Sequence, residues 1–105
     1  MGIYWIIACH DRKEFIHPGD VKHTGLKEFE ILANFPMPKL IAYLVMEDWN
    51  GCVIEAIPDS TERYCHIQVR YENITKRIVE EWNEQYATSP DWLQKNRIEM
   101  EAYSL

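Results

Sequence analysis

The sequence has little that would mark a secreted, membrane-spanning or nucleic-acid-binding protein. Its three cysteines have no Cys-x-x-Cys spacing, and its first apolar run, residues 3–9, is too short to cross a bilayer. Only 11 basic residues stand against 17 acidic ones, which gives a net charge of −6 and argues against a broad basic surface for nucleic acid. With no secretion signal before the first apolar run, we expect a cytoplasmic protein with reduced thiols and no membrane association.

Glycine and proline are also scarce, at four and five residues, so neither a collagen-like nor a low-complexity chain fits. Hydrophobic residues make up 47% of the sequence, including four Trp, six Tyr and three Phe. These side chains supply enough apolar surface for a core without a metal or a disulfide. The length of 105 residues predicts a single compact domain spanning 1–105.

Two β-hairpins are predicted from the strand patterns. The β-branched and aromatic run at 3–10 predicts a strand covered on both faces, and residues 14–17 return as a short second strand. Residues 52–57 and 64–71 predict another hairpin around a six-residue loop, because residues 64–71 alternate between apolar and polar side chains.

Three helices are predicted between and after these strands. Residues 39–48 are apolar around the whole helical wheel, which indicates burial on more than one side or an oligomer contact, with a buried strand as the alternative. An amphipathic helix follows from Asn73 or Thr75 to Tyr86, and Ser89 begins a last helix that runs to about 102. Residues 21–36 fit a strand or a short helix, and we favour the helix.

These elements predict an α+β fold, with two β-hairpins in a mostly antiparallel sheet packed against about three helices. The sequence lacks the HExxH, GxxxxGK[ST], GxGxxG and GxSxG motifs of common enzyme classes. The dipeptides Cys9-His10 and Cys65-His66 resemble metal ligands, but neighbours on a strand point to opposite faces. We therefore predict no metal site and no cofactor.

Three histidines lie in or near predicted turns beside aspartates. His10 precedes Asp11, while His17 and His23 flank Asp20. A carboxylate beside an imidazole is the arrangement that general acid–base catalysis uses, because it fixes the tautomer. Adjacent turn residues seldom face each other, so solvated turn residues are the favoured interpretation.

One candidate ligand face lies on the second predicted hairpin. The register set by the six-residue loop places Glu55 opposite His66, with Tyr64, Gln68 and Arg70 on the same face of the sheet. A carboxylate, an imidazole, a guanidinium and a phenol can together bind an anionic small molecule. An exposed cross-strand ion pair is the simpler interpretation.

A candidate interface is predicted from large apolar residues beside the turn that ends the 39–48 helix and along the C-terminal helix. Its members are Trp49, Trp92, Ile98 and Leu105. Because no catalytic motif is present and apolar helix surface is abundant, we expect a non-catalytic protein-interaction module of the adaptor, inhibitor or immunity type that forms homo-oligomers. The alternative is a small-molecule-binding protein or small enzyme that uses the face around Glu55, His66 and Arg70.

Overall fold

The computed structural model describes residues 5–21 and 36–100, and within these ranges it shows an α+β fold. Its strands are β1 (Trp5–Cys9), β2 (Glu14–Ile16), β3 (Ile54–Pro58) and β4 (Glu72–Asn73). Its α-helices are α1 (Met37–Met46), α2 (Glu62–Arg70) and α3 (Thr75–Glu84), and short 3-10 helices cover Pro18–Asp20 and Asp91–Asn96. Most of the ambiguous stretch at 21–36 lies outside the described residues.

The described strands form one mixed sheet in the order β3-β1-β2-β4. β1 pairs antiparallel with both β2 and β3, whereas β2 pairs parallel with β4. The first predicted hairpin is therefore confirmed. β1 occupies the sheet interior, as a strand with two apolar faces requires.

Alternate residues of β1 enter two separate cores. Ile7 and Cys9 face the layer formed by α1 and α3, whereas Ile6 and Ala8 face α2 and pack in the same cluster as Ile67. The sheet thus has helices on both sides, with α1 and α3 on one face and α2 on the other. This arrangement explains why β1 carries no polar side chain within Trp5–Cys9.

The second predicted hairpin is wrong, because most of residues 64–71 form α2 and β3 pairs with β1 instead. Tyr64, Ile67 and Tyr71 recur at i, i+3 and i+7 and pack together on the sheet. Val69 belongs to the apolar set of the alternating pattern but is 84% exposed. Glu62 in the first turn and Arg70 in the last also favour a helix, because both charges complement its dipole.

The predicted helix at 39–48 is confirmed as α1, but it is buried on one side only. Leu40 and Leu44 are fully buried in the core that α1 shares with α3. Val45 and Met46 are exposed, Met46 to 73%. An apolar composition around the whole wheel therefore does not correspond to burial around the whole helix.

The last predicted helix is also wrong. Instead of a helix from Ser89 to about 102, the described chain has a six-residue 3-10 helix, Asp91–Asn96, followed by extended backbone. The side chain of Asn83 holds this extended segment, because its Nδ2 donates to the Ile98 carbonyl at 2.8 Å and its Oδ1 accepts from the Ile98 amide at 2.7 Å. Both backbone groups of Ile98 are thus occupied by α3 rather than by a helix of their own.

A buried carboxylate joins the α1–α3 layer to the sheet. Glu14 is only 7% exposed, and its Oε1 accepts hydrogen bonds from Trp49 Nε1 at 3.0 Å and Arg12 Nε at 3.1 Å. Its Oε2 accepts from the Arg77 guanidinium at 3.1 Å. A buried charge is tolerated when it is paired and hydrogen-bonded in this way.

Replacing Glu14 should therefore destabilise the fold strongly. Glu14→Ala leaves the indole N–H of buried Trp49 without its acceptor and removes the anion between two guanidinium groups. We expect a loss of about 2–4 kcal/mol in the free energy of unfolding, measured by urea denaturation. The control is Glu80→Ala, which removes an exposed carboxylate of α3 and should change stability by less than about 0.5 kcal/mol. Equal effects of the two substitutions would contradict this role of Glu14.

Candidate functional site

An open groove lies along the side of α2 that adjoins His10, beside the end of β1. Its volume is about 420 Å³, and it is lined by His10, Arg63, His66, Ile67, Arg70 and Tyr71. Helical spacing explains the lining, because positions 63, 66, 67 and 70 recur at i, i+3, i+4 and i+7 and share one side of α2. Two arginines and two histidines thus converge on one concave surface of a chain whose net charge is −6.

Glu55 on β3 anchors one end of this groove. Both Glu55 oxygens accept from the Arg63 guanidinium, at 2.7 and 2.5 Å, and Oε1 also contacts His10 Nε2 at 2.8 Å. These hydrogen bonds, first from Arg63 and then from His10, lower the pKa of Glu55 to about 2. The same hydrogen bond and the charge of Glu55 raise the pKa of Arg63. Much of the charge of Arg63 is therefore already matched within the protein.

The imidazole of His10 links Glu55 to a phenol at the end of α2. Its Nδ1 lies 2.9 Å from the Tyr71 hydroxyl, while its Nε2 faces Glu55. An ionised carboxylate can only accept, so Nε2 carries a proton, and in the neutral ring Nδ1 accepts from the Tyr71 O–H. The carboxylate, imidazole and phenol form a continuous hydrogen-bonded chain at the edge of the groove.

A second histidine makes an equivalent chain at the other end of α2. His17 Nδ1 lies 3.0 Å from Asp20 Oδ1, and its Nε2 lies 3.1 Å from the Tyr64 hydroxyl. Burial raises the pKa of Tyr64. Tyr64 and Tyr71 are two turns apart, so each end of α2 is fixed to the sheet through one phenol and one histidine. The favoured interpretation of solvated turn residues is therefore wrong for His17, whose imidazole contacts Asp20. His10 does not pair with Asp11, whose Oδ2 accepts from the Val53 amide.

The structure separates the members of the predicted ligand face. Glu55 pairs with His10 and Arg63 rather than His66, because residues 64–71 are not a strand opposite β3. His66 and Arg70 do line the groove, as a spacing of four on a helix allows. Tyr64 points toward His17, and Gln68 is exposed but does not line the groove. Sequence reasoning missed His10, Arg63 and Tyr71 at this site.

Polar residues at positions 63, 66 and 70 recur with helical spacing, and this pattern could have identified Arg63 from the sequence. No local pattern connects His10 to this stripe, because its contact with Tyr71 spans 61 positions of sequence. His23, which was also considered as an acid–base residue, lies outside the described residues.

The four predicted interface residues do not form a common surface. Trp49 and Ile98 are 1% and 4% exposed, so their side chains belong to the core of this chain. Trp92 is 70% exposed on the 3-10 helix Asp91–Asn96. Leu105 lies outside the described residues. Trp49 is not available to a partner, because its hydrogen bond to Glu14 requires the indole to point inward.

The three cysteines are free thiols, with Cys9 buried, Cys52 half-buried and Cys65 exposed. Across residues 5–21 and 36–100, no group of three or more His, Cys, Asp or Glu side chains could hold a metal ion. The helices in these ranges also lack the combination of length and apolar character that crossing a membrane demands.

None of the protein-family models, curated proteins or solved structures compared with this chain matches it. The function of the groove must therefore be argued from its own residues and their chemistry. Fold class alone would not decide it, since one fold supports many activities.

The hydrogen bonds around Glu55 should make the free energy of unfolding depend on pH in the acidic range. Because the pKa of Glu55 is lower in the folded chain than its ordinary value of 4.5, its stabilising effect is complete above that value and is lost as pH falls towards about 2. We expect the unfolding free energy of the parent to fall more steeply between these limits than that of Glu55→Gln. Glu80→Gln, which removes an exposed carboxylate of α3, should keep the parent slope. Parallel curves for the parent and Glu55→Gln in urea melts at stepped pH would contradict this account.

Proposed function

We propose that the chain is a binding protein whose groove on α2 holds a small anionic ligand bearing a carboxylate or phosphate group. The observation that carries this proposal concerns the hydrogen bonding and ion pairing of two basic residues in the groove. Within the described part of the chain, neither Arg70 nor His66 has a hydrogen-bond or ion-pair partner, although both line the groove. By contrast, Arg63 is already paired with Glu55.

Arg70 is the residue best suited to hold the anion. A guanidinium has a planar set of donors that matches a carboxylate or phosphate bidentately, and it stays charged at every physiological pH. Arg70 is exposed at the last turn of α2 and borders the groove beside Tyr71. His66, one turn earlier, places a second donor on the same side.

The rest of the groove suits a small organic acid better than a bare ion. Its volume of about 420 Å³ lies within the range of small-molecule sites, roughly 300–1,000 Å³. Ile67 and the ring of Tyr71 supply apolar wall between the cationic groups. The chain from Glu55 through His10 to Tyr71 fixes the hydroxyl at the groove edge, where it can bond a polar group of the ligand.

A titration with simple aromatic acids tests this proposal. We expect phenyl phosphate and benzoate to cause saturable amide shifts at residues 66–71 in two-dimensional NMR spectra, whereas benzyl alcohol should not. Arg70→Gln should weaken binding of the anions at least roughly tenfold, since a charge-assisted hydrogen bond contributes about 1.5–3 kcal/mol.

The matched control for this titration is Lys76→Gln, which removes one exposed positive charge from α3 on the other face of the sheet. It should leave the affinity for phenyl phosphate within about twofold, because distant surface charges are screened by salt. Equal weakening by the two substitutions would indicate a general charge effect, and the absence of saturable shifts would overturn the proposal.

A protein-interaction module is the second candidate function. The observation that favours it is the exposure of large apolar side chains, with Val69, Met46 and Trp92 each at least 70% exposed. These three residues lie on α2, α1 and the 3-10 helix Asp91–Asn96 respectively, so they do not define one patch. Partner binding in the cytoplasm remains a prediction from the sequence.

A further inference from the structure

A second groove, between α1 and α3, lies on the opposite side of the sheet from α2. Its volume is about 420 Å³, and its lining includes Tyr43, Met46 and Glu47 of α1 and its C-terminal end and Trp82 of α3. The rings of Tyr43 and Trp82 meet edge to face, with centroids 5.7 Å apart, and form an aromatic floor. Trp82 Nε1 already donates to the Asn96 carbonyl at 2.8 Å. The indole therefore offers a ligand its ring rather than its N–H group.

The surroundings of this aromatic floor are negatively charged. Burial, and after it the charges of four carboxylates, raise the pKa of the Tyr43 phenol. These carboxylates belong to Glu81, Glu47, Asp48 and Glu84. The Arg77 guanidinium binds two of them, Glu81 at 3.1 Å and Asp48 at 3.2 Å. Within residues 5–21 and 36–100, the carboxylates of Glu47 and Glu84 neither accept a hydrogen bond nor form an ion pair, so their charges are not matched there.

The negative charge is concentrated at one end of the groove. Lys39 also lines the groove, but it lies at the start of α1, eight positions before Glu47 and about 12 Å from it along the helix axis. Its ammonium group donates to Asn96 Oδ1 at 3.0 Å. Glu47 stands at the other end, where the last carbonyl groups of α1 are partly negative and the last turn has no basic residue. Tyr43 is one turn before Glu47, so the ring and the carboxylate are neighbours.

From the aromatic floor and the carboxylate beside it, we infer that this groove binds an alkylated ammonium ion. Its methyl groups lie against the rings of Tyr43 and Trp82, and its charge lies beside Glu47. Aromatic rings attract such cations through the negative potential of their faces. Met46, which is 73% exposed at the groove, adds a flexible and polarisable thioether for contact with the methyl groups. The inference does not depend on the anion site, because α2 lies on the other face of the sheet.

Two ligands of nearly the same shape but different charge test the inference. Choline carries a trimethylammonium group, whereas 3,3-dimethylbutan-1-ol carries a neutral tert-butyl group in its place. At constant ionic strength, we expect choline to cause saturable shifts of the Trp82 indole N–H and the Tyr43 amide in two-dimensional NMR spectra. The neutral alcohol should bind at least roughly fivefold more weakly, because it lacks the attraction to the rings and to Glu47.

A charge reversal with a matched control locates the site. Glu47→Lys should weaken choline binding at least roughly fivefold, because repulsion replaces attraction at the ammonium group. Glu80→Lys makes the same change at an exposed position of α3 that does not line the groove, and it should leave the affinity within about twofold. Arg70→Gln should not alter choline binding, so the two sites can succeed or fail separately. Equal binding of the two ligands, equal weakening by the two lysine variants, or the absence of saturable shifts would each overturn the inference.

Discussion

The carboxylate of Glu14 determines how the layer formed by α1 and α3 packs on the sheet. Its three donors come from separate parts of the chain: the β1–β2 turn through Arg12, the segment after α1 through Trp49, and α3 through Arg77. Removing any of these donors would leave part of a deeply buried charge uncompensated, which is destabilising. Arg77 also contacts Asp48 at 3.2 Å, so the end of α1 and the start of α3 are joined twice. The contact between α1 and α3 is therefore fixed at that end by the Arg77 guanidinium.

The opposite layer is held by the half-exposed ion pair of Arg63 with Glu55, by two phenol–histidine hydrogen bonds and by apolar contact, rather than by a buried charge. Ile67 packs on the sheet between two phenols, and each phenol reaches a histidine that follows a strand. This arrangement sets the rotation of α2 about its axis. The side of α2 adjoining His10 therefore presents Arg63, His66 and Arg70 to the groove, and the cationic character of the groove is a consequence of how α2 docks.

Elements whose apolar residues recur with only one period, that of a strand or that of a helix, could be predicted from the sequence. Elements whose apolar residues fit both periods could not. β1 is apolar on both faces and α3 is strongly amphipathic, so their identities follow from local pattern. Gly51 lies in the turn after α1 with a φ of +77°, a backbone conformation that favours glycine. In residues 64–71, Ile67 and Tyr71 fit both the strand and the helix period, and the choice rests on long-range contacts. The hydroxyl partners of Tyr64 and Tyr71 lie 47 and 61 positions away.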